Sequence, residues 1–125
     1  MLTRFLAVAL GGAVGCMLRY GTTLGAARFF GTGFPFGTLI ANLAGCLLAG
    51  LIFGVTAKHA GFSPLLRVLL LTGFLGGYTT FSSFMAETVT LMQDGSWALA
   101  AGNFLANNVA GGVLAIGGIY LGRLV

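Results

Sequence analysis

The placement of charge along this chain leaves few folds open to it. No Asp, Glu, Lys or Arg occurs between Arg28 and Lys58, between Arg67 and Glu87, or between Asp94 and Arg123. Each gap holds the roughly 20 residues that a helix needs to cross a hydrocarbon core. A fourth stretch, Phe5 to Ala27, is long enough as well but carries Arg19 inside it. Only 6% of the residues are charged, against roughly a quarter in a soluble domain, and 58% are hydrophobic. The sequence predicts an all-α membrane protein of four transmembrane helices, a single domain over residues 1–125. The helices are expected over residues 2–29, 35–57, 64–93 and 97–124, joined by loops too short to hold a soluble domain.

The N-terminus reads as part of the first helix. Ala7-Val8-Ala9 mimics a signal-peptide cleavage site, but the apolar run before it is only Phe5-Leu6, far short of the roughly 7–15 residues required. The net charge of +4 comes from basic residues scattered singly. They form no basic stripe, so the expected partner is membrane lipid and not nucleic acid. Arg4, Lys58, Arg67 and Arg123 fall on one side of the membrane and Arg28 on the other. This bias favours cytoplasmic termini in a multi-pass protein of the inner (plasma) membrane. Trp97 and Tyr120 lie near the ends of the last span, as interface anchors do. Cys16 and Cys46 lack a Cys-x-x-Cys or histidine partner and are expected to be small buried hydrophobes.

Glycine spacing describes the packing. Gly11 and Gly15, Gly21 and Gly25, and Gly50 and Gly54 stand four apart, the pattern that lets helices approach closely in lipid. With 22 glycines, several faces are built for contact. A homo-oligomer, most simply a dimer, is expected.

The third span is interrupted. Gly73-Phe74-Leu75-Gly76-Gly77-Tyr78-Thr79-Thr80-Phe81-Ser82-Ser83-Phe84 places three glycines ahead of a run of hydroxyls. Each glycine costs about 1 kcal/mol in a helix relative to alanine, so a break is expected near 73–80. At membrane depth a break is tolerated only in protein or beside an aqueous cavity, which marks a binding or conduction site. The half-helix ending near Gly76 would present free carbonyls suited to a cation. The half beginning near Thr80 would aim its N-terminal dipole into the gap.

The remaining polar groups argue against an enzyme. Glu87 and Asp94 are the only carboxylates and His59 the only histidine, so no Ser/His/Asp, Cys/His or metal-ligand cluster can be assembled. Asn42 lies well inside the second span. Asn103 and Asn107 share a face of the fourth, and Ser82 and Ser83 follow the break. These are neutral donors, suited to an anion that must bind without being trapped. Thr80, Ser83 and Glu87 form one stripe of the third span, with Phe81, Phe84 and Thr88 on the next. The phenylalanines read first as core packing; their electropositive ring edges also suit a small anion. Arg19 reads either as snorkelling to the interface or as the charge of a positive vestibule.

Three patterns, taken in order, cover nearly the whole chain. They are Gly11-Gly12-x-x-Gly15 with Arg19-Tyr20, then Gly37-Thr38-Leu39-x-x-Asn42-x-x-Gly45, then Gly73 through Phe84 with Ala86-Glu87. Together they closely resemble the Fluc (CrcB) family of fluoride channels. The resemblance implies a four-helix chain assembled as an antiparallel, dual-topology homodimer that exports fluoride passively through two pores. It implies a fluoride pathway of Phe81, Phe84, Asn42, Ser82, Ser83, Asn103 and Asn107. Arg19 and Thr38 would lie near the vestibule and Glu87 near a pore mouth. The backbone carbonyls of Gly76 and Thr79 would hold a structural sodium ion on the dimer axis. Ser83 stands where threonine is common, and Asn103 where tyrosine or asparagine is usual; both keep a polar group.

Two other readings compete. A small multidrug-type secondary transporter shares the size, but it needs a carboxylate in the first span and Phe5 to Ala27 has none. An inert packing subunit would have little reason to keep a broken helix and intramembrane asparagines.

Overall fold

Four helical spans account for almost every residue of the computed structural model, which describes residues 1–59 and 61–125. Residue 60, in the loop expected between the second and third spans, lies outside the described residues. The chain is a multi-pass membrane protein. Helix α1 is Leu2–Phe30 and α2 is Phe36–Lys58. The third span, Pro64–Gln93, divides into α3 (64–78) and α4 (Phe81–Gln93), and α5 is Trp97–Leu124. Among the described residues no strand is present.

Local chemistry sets the ends of these helices. Gly31, at φ 77, closes α1 by sending its N–H to the Ala27 carbonyl. Pro35 precedes α2 as its N-cap and is not its first helical residue. Ser63 caps α3, its hydroxyl accepting from the Leu66 N–H at 3.4 Å, with Pro64 at the first helical position. Gly95, also at φ 77, turns the chain from α4 into α5. Two stretches are wound more loosely, as π-helix: Val68–Leu75 within α3 and Ala106–Ala110 within α5.

The spans pair through glycine. On α1, a methyl at Gly11 would lie 2.5 Å from the Leu69 carbonyl oxygen. One at Gly15 would collide with the Phe74 carbonyl, so α1 and α3 meet backbone to backbone. Likewise Gly50 and Gly54 of α2 face Ala115, Gly118 and Gly122 of α5 with no room for a methyl. Residue numbers rise together along both seams, so α1 runs parallel to α3 and α2 parallel to α5. Gly21 and Gly25 have nothing within 4 Å and play no part in packing within the chain.

One expectation is corrected, and another, the break near 73–80, is narrowed within its own bounds. Cys46 is partly covered, but Cys16 is exposed and not buried; both are free thiols. The break in the third span lies at Thr79 and Thr80, both extended (φ −89, ψ 158 and φ −151, ψ 121). Gly73, Gly76 and Gly77 are helical. The only glycines with positive φ are Gly31 and Gly95 among the described residues. Gly77 serves packing instead: a methyl there would sit 2.5 Å from the Gly12 carbonyl oxygen.

Candidate functional site at the broken helix

Thr79 and Thr80 leave the helical ladder because another span replaces its hydrogen bonds. The Thr80 N–H donates to Asn42 Oδ1 at 2.8 Å, and Asn42 Nδ2 donates to the Thr80 carbonyl at 3.1 Å. One side-chain amide of α2 thus satisfies both backbone groups of an extended residue, as a neighbouring strand would. Room for this comes from Gly45, where a methyl would collide with the Thr79 side chain.

Upstream of the break, α3 ends in carbonyls with few takers. The Thr79 N–H and hydroxyl both go to the Leu75 carbonyl, at 2.9 Å each. The Gly77 carbonyl accepts from Arg19 Nε at 3.1 Å. The carbonyls of Gly76 and Thr79 have no hydrogen-bond partner among the described residues. Two free backbone oxygens at the C-terminal end of a half-helix are the donor type a hard monovalent cation takes, so these residues fit a sodium ion.

Downstream, α4 begins with a cluster of hydroxyls. Thr80 Oγ1 accepts from the Ser83 N–H at 3.2 Å, capping the helix, and donates to Ser83 Oγ at 3.2 Å. Ser82 Oγ lies 3.3 Å from the same oxygen. Next to the hydroxyls, the Phe81 and Phe84 rings meet edge to face with centroids 5.7 Å apart. Phe81 is 71% exposed, whereas Phe84 is 3% exposed and packs on Phe104 with centroids 6.1 Å apart. Asn42, Thr79, Thr80, Phe81, Phe84 and Asn107 are among the residues lining an open groove of about 470 Å³.

Asn42 also joins α2 to α5. Its Nδ2 donates to Asn107 Oδ1 at 2.8 Å, and Asn107 Nδ2 donates to the carbonyl and to Oδ1 of Asn103, at 3.0 Å each. Asn103, fully buried, donates to Thr88 Oγ1 at 2.9 Å, and the Thr88 hydroxyl donates to the Phe84 carbonyl at 2.7 Å. Asn103 and Asn107, expected on one face of the fourth span, are therefore joined to each other and to Asn42. Two members were overlooked: the backbone of Thr80, and Thr88. Thr88 did carry a signal, since it lies four residues after Phe84 on the same stripe, but a threonine there reads as packing.

The three residues expected at an aqueous mouth are divided. Thr38 Oγ1 donates to Glu87 Oε1 at 2.7 Å, and both line a second cavity of about 520 Å³ beneath the loop that joins α1 to α2. Glu87 Oε2 is buried without a partner among the described residues. Arg19 is elsewhere. It neither reaches that cavity nor snorkels alone, because its guanidinium is held by the Gly77 carbonyl at the break. A cation there suits the negative end of a half-helix.

A break in a spanning helix, held open by side chains from other spans and facing a groove, is the architecture of a membrane transport protein. The chain belongs to the CrcB family: the family model described as "CrcB-like protein, Camphor Resistance (CrcB)" matches residues 6–119. Among similar proteins, one from Maridesulfovibrio salexigens is 41% identical over 122 residues, 98% of this chain and 97% of the relative. One from Chloroflexus aurantiacus is 46% identical over 123 residues, again 98% and 97%. A third, from Nitratidesulfovibrio vulgaris, is 43% identical over 122 residues, 98% of each chain. All three carry the name "Fluoride-specific ion channel FluC".

Proposed function

We propose that the chain forms a fluoride-selective channel which lets fluoride leave the cytoplasm passively; its family is one of ion channels, not enzymes. The observation that carries this reading is the meeting, at the break, of hydroxyl and amide groups with the edge-to-face pair Phe81 and Phe84. Fluoride holds its water tightly, and a pore must replace that shell with many weak donors and not with one strong charge. Ring edges, hydroxyls and carboxamides are such donors, and the groove offers them side by side. The names of the similar proteins point to the same ion.

The pathway in this proposal runs past Phe81 and Phe84, Ser82 and Ser83, and the amides of Asn42, Asn103 and Asn107. Glu87 and Thr38 form a mouth. Both Asn42 N–H groups are already used, on Thr80 and Asn107. Its part in conduction is therefore to hold the gap open, or to release one bond when the ion arrives. The working form is an antiparallel, dual-topology homodimer in the inner membrane with two pores. Its second copy would cover the groove and the exposed ring of Phe81. The carbonyls of Gly76 and Thr79 would hold a structural sodium ion at the axis between the two copies. That ion would offset the negative ends of two half-helices. The small multidrug-type alternative gains no support, since Leu2–Phe30 contains no carboxylate.

Purified protein in liposomes loaded with fluoride tests the reading. A fluoride electrode should record efflux well above that of empty liposomes, with chloride left inside. Efflux at the empty-liposome rate, or equal passage of chloride, would falsify it.

A further inference from the structure

Apart from the bond that Asn42 returns to the Thr80 carbonyl, the hydrogen bonds that cross the site form one directed series. The Thr80 N–H donates to Asn42, Asn42 to Asn107, Asn107 to Asn103, Asn103 to Thr88, and Thr88 to the Phe84 carbonyl. The series leaves α4 at its N-cap, crosses α2 and α5, and returns to α4. A carboxamide can be turned over, exchanging its donor and acceptor faces, at little cost in shape. A series of three therefore has two directions unless its ends choose one. Here both ends choose. A backbone N–H only donates, which fixes Asn42 Oδ1 against Thr80. At the other end the Thr88 hydroxyl spends its single proton on a backbone carbonyl, which leaves only lone pairs for Asn103.

We propose that Thr88 is a positioning residue for conduction: Thr80 fixes the Asn42 end of the series, and Thr88 fixes the other end, holding Asn103 with its amide nitrogen toward α4 and its oxygen toward Asn107. The proposal rests on the fluoride-channel reading above. Thr88 is 1% exposed and does not line the groove, so it acts through Asn103 and does not touch the ion. With the direction fixed, Asn103 Nδ2 makes one hydrogen bond from its two N–H groups, leaving a donor over on a fully buried side chain among the described residues. Asn42 has no such surplus. Without an acceptor at position 88, Asn103 is free to turn over. It then meets Asn107 donor to donor, and Asn107 keeps only the Asn103 carbonyl as acceptor. Neighbouring members of such a series polarise one another, so the loss is felt beyond its own site.

The test is fluoride flux against fluoride concentration in liposomes, for the parent, Thr88→Val, Thr88→Ser, Asn103→Leu and the Thr88→Val/Asn103→Leu pair. Thr88→Val keeps the shape and removes the hydroxyl. It should raise the half-saturating fluoride concentration roughly tenfold, the scale of one buried hydrogen bond lost, while Thr88→Ser stays within about twofold of the parent. The double variant should be no worse than Asn103→Leu alone, because both act on one series. A Thr88→Val channel that matches the parent overturns the proposal, as does Thr88→Ser failing like Thr88→Val, or multiplied losses in the pair. A parent without flux overturns the channel reading instead. Should Thr88→Val not yield folded protein, the side-chain amide NMR signals of the parent decide. One set for Asn103, slow to exchange with deuterium, supports a single direction; two sets refute it.

Discussion

The two sides of the break are fastened by different chemistries. Upstream, α3 is fixed chiefly by shape, with one polar bond from Arg19 to the Gly77 carbonyl: the backbones of Gly11, Gly15 and Gly77 lie where a methyl would strike the opposing main chain. Downstream, α4 is fixed by polar bonds from Asn42 to Thr80 and from Asn103 to Thr88. Steric fastening involves every atom of a helix face and has no alternative arrangement. Hydrogen-bond fastening can be exchanged for another donor or for an ion. The rigid wall of the site and its adaptable wall thus belong to one transmembrane segment, separated by two extended threonines.

Substitutions should separate the two fastenings, and the largest effect belongs to the steric side. Gly77→Ala puts a carbon 2.5 Å from the Gly12 oxygen and 3.1 Å from the Cys16 nitrogen, with only main chain to yield. It should destabilise by about 1–3 kcal/mol or more, read as lost monodisperse protein on size exclusion. Normal yield would show that the α1–α3 seam is looser than described. Next comes Asn42→Ala, which strips Thr80 of both backbone partners. Each unsatisfied group costs about 1–3 kcal/mol, so the thermal midpoint should drop together with fluoride flux. Unchanged flux with a lowered midpoint would reduce Asn42 to a strut.

Smaller effects sharpen the contrast. Thr80→Ala removes the N-cap bond to Ser83 and should cost about 1 kcal/mol, recovered in Thr80→Ser. Failure of serine to recover it would place the value of Thr80 in its methyl. Smallest of all is Gly76→Ala, where the nearest atom is 3.9 Å away. The change should be neutral or stabilise by up to about 1 kcal/mol in thermal unfolding, because the residue is helical. Loss of assembly at this position alone would show a partner's backbone pressed against Gly76.

These contrasts also explain what could be read ahead of the structure. The spans 64–93 and 97–124 were legible to the residue, because Pro64, Gly95 and the long charge-free runs punctuate the chain without reference to its fold. That the third span breaks was legible too. Why it breaks was not, since glycine has two uses, relief of backbone strain and close approach, and only the position of α1 decides between them. Asn103 and Asn107 could be paired from their spacing on one helix. Their link to Asn42 depends on how far α2 is shifted along α5, which no local pattern encodes. The partner of Arg19 was hidden for a related reason: it is a carbonyl freed by the break, 58 residues away.

The glycine seam between α2 and α5 has a consequence for heat. Side-chain interfaces soften on warming as rotamers begin to exchange, and distances across them drift. Gly50, Gly54, Gly118 and Gly122 have no rotamers, so the pair of helices that carries Asn42 and Asn107 meets along a line with nothing to thaw. The seam acts as a spacer of fixed gauge, and it should hold the two amides at one separation until the helices part altogether.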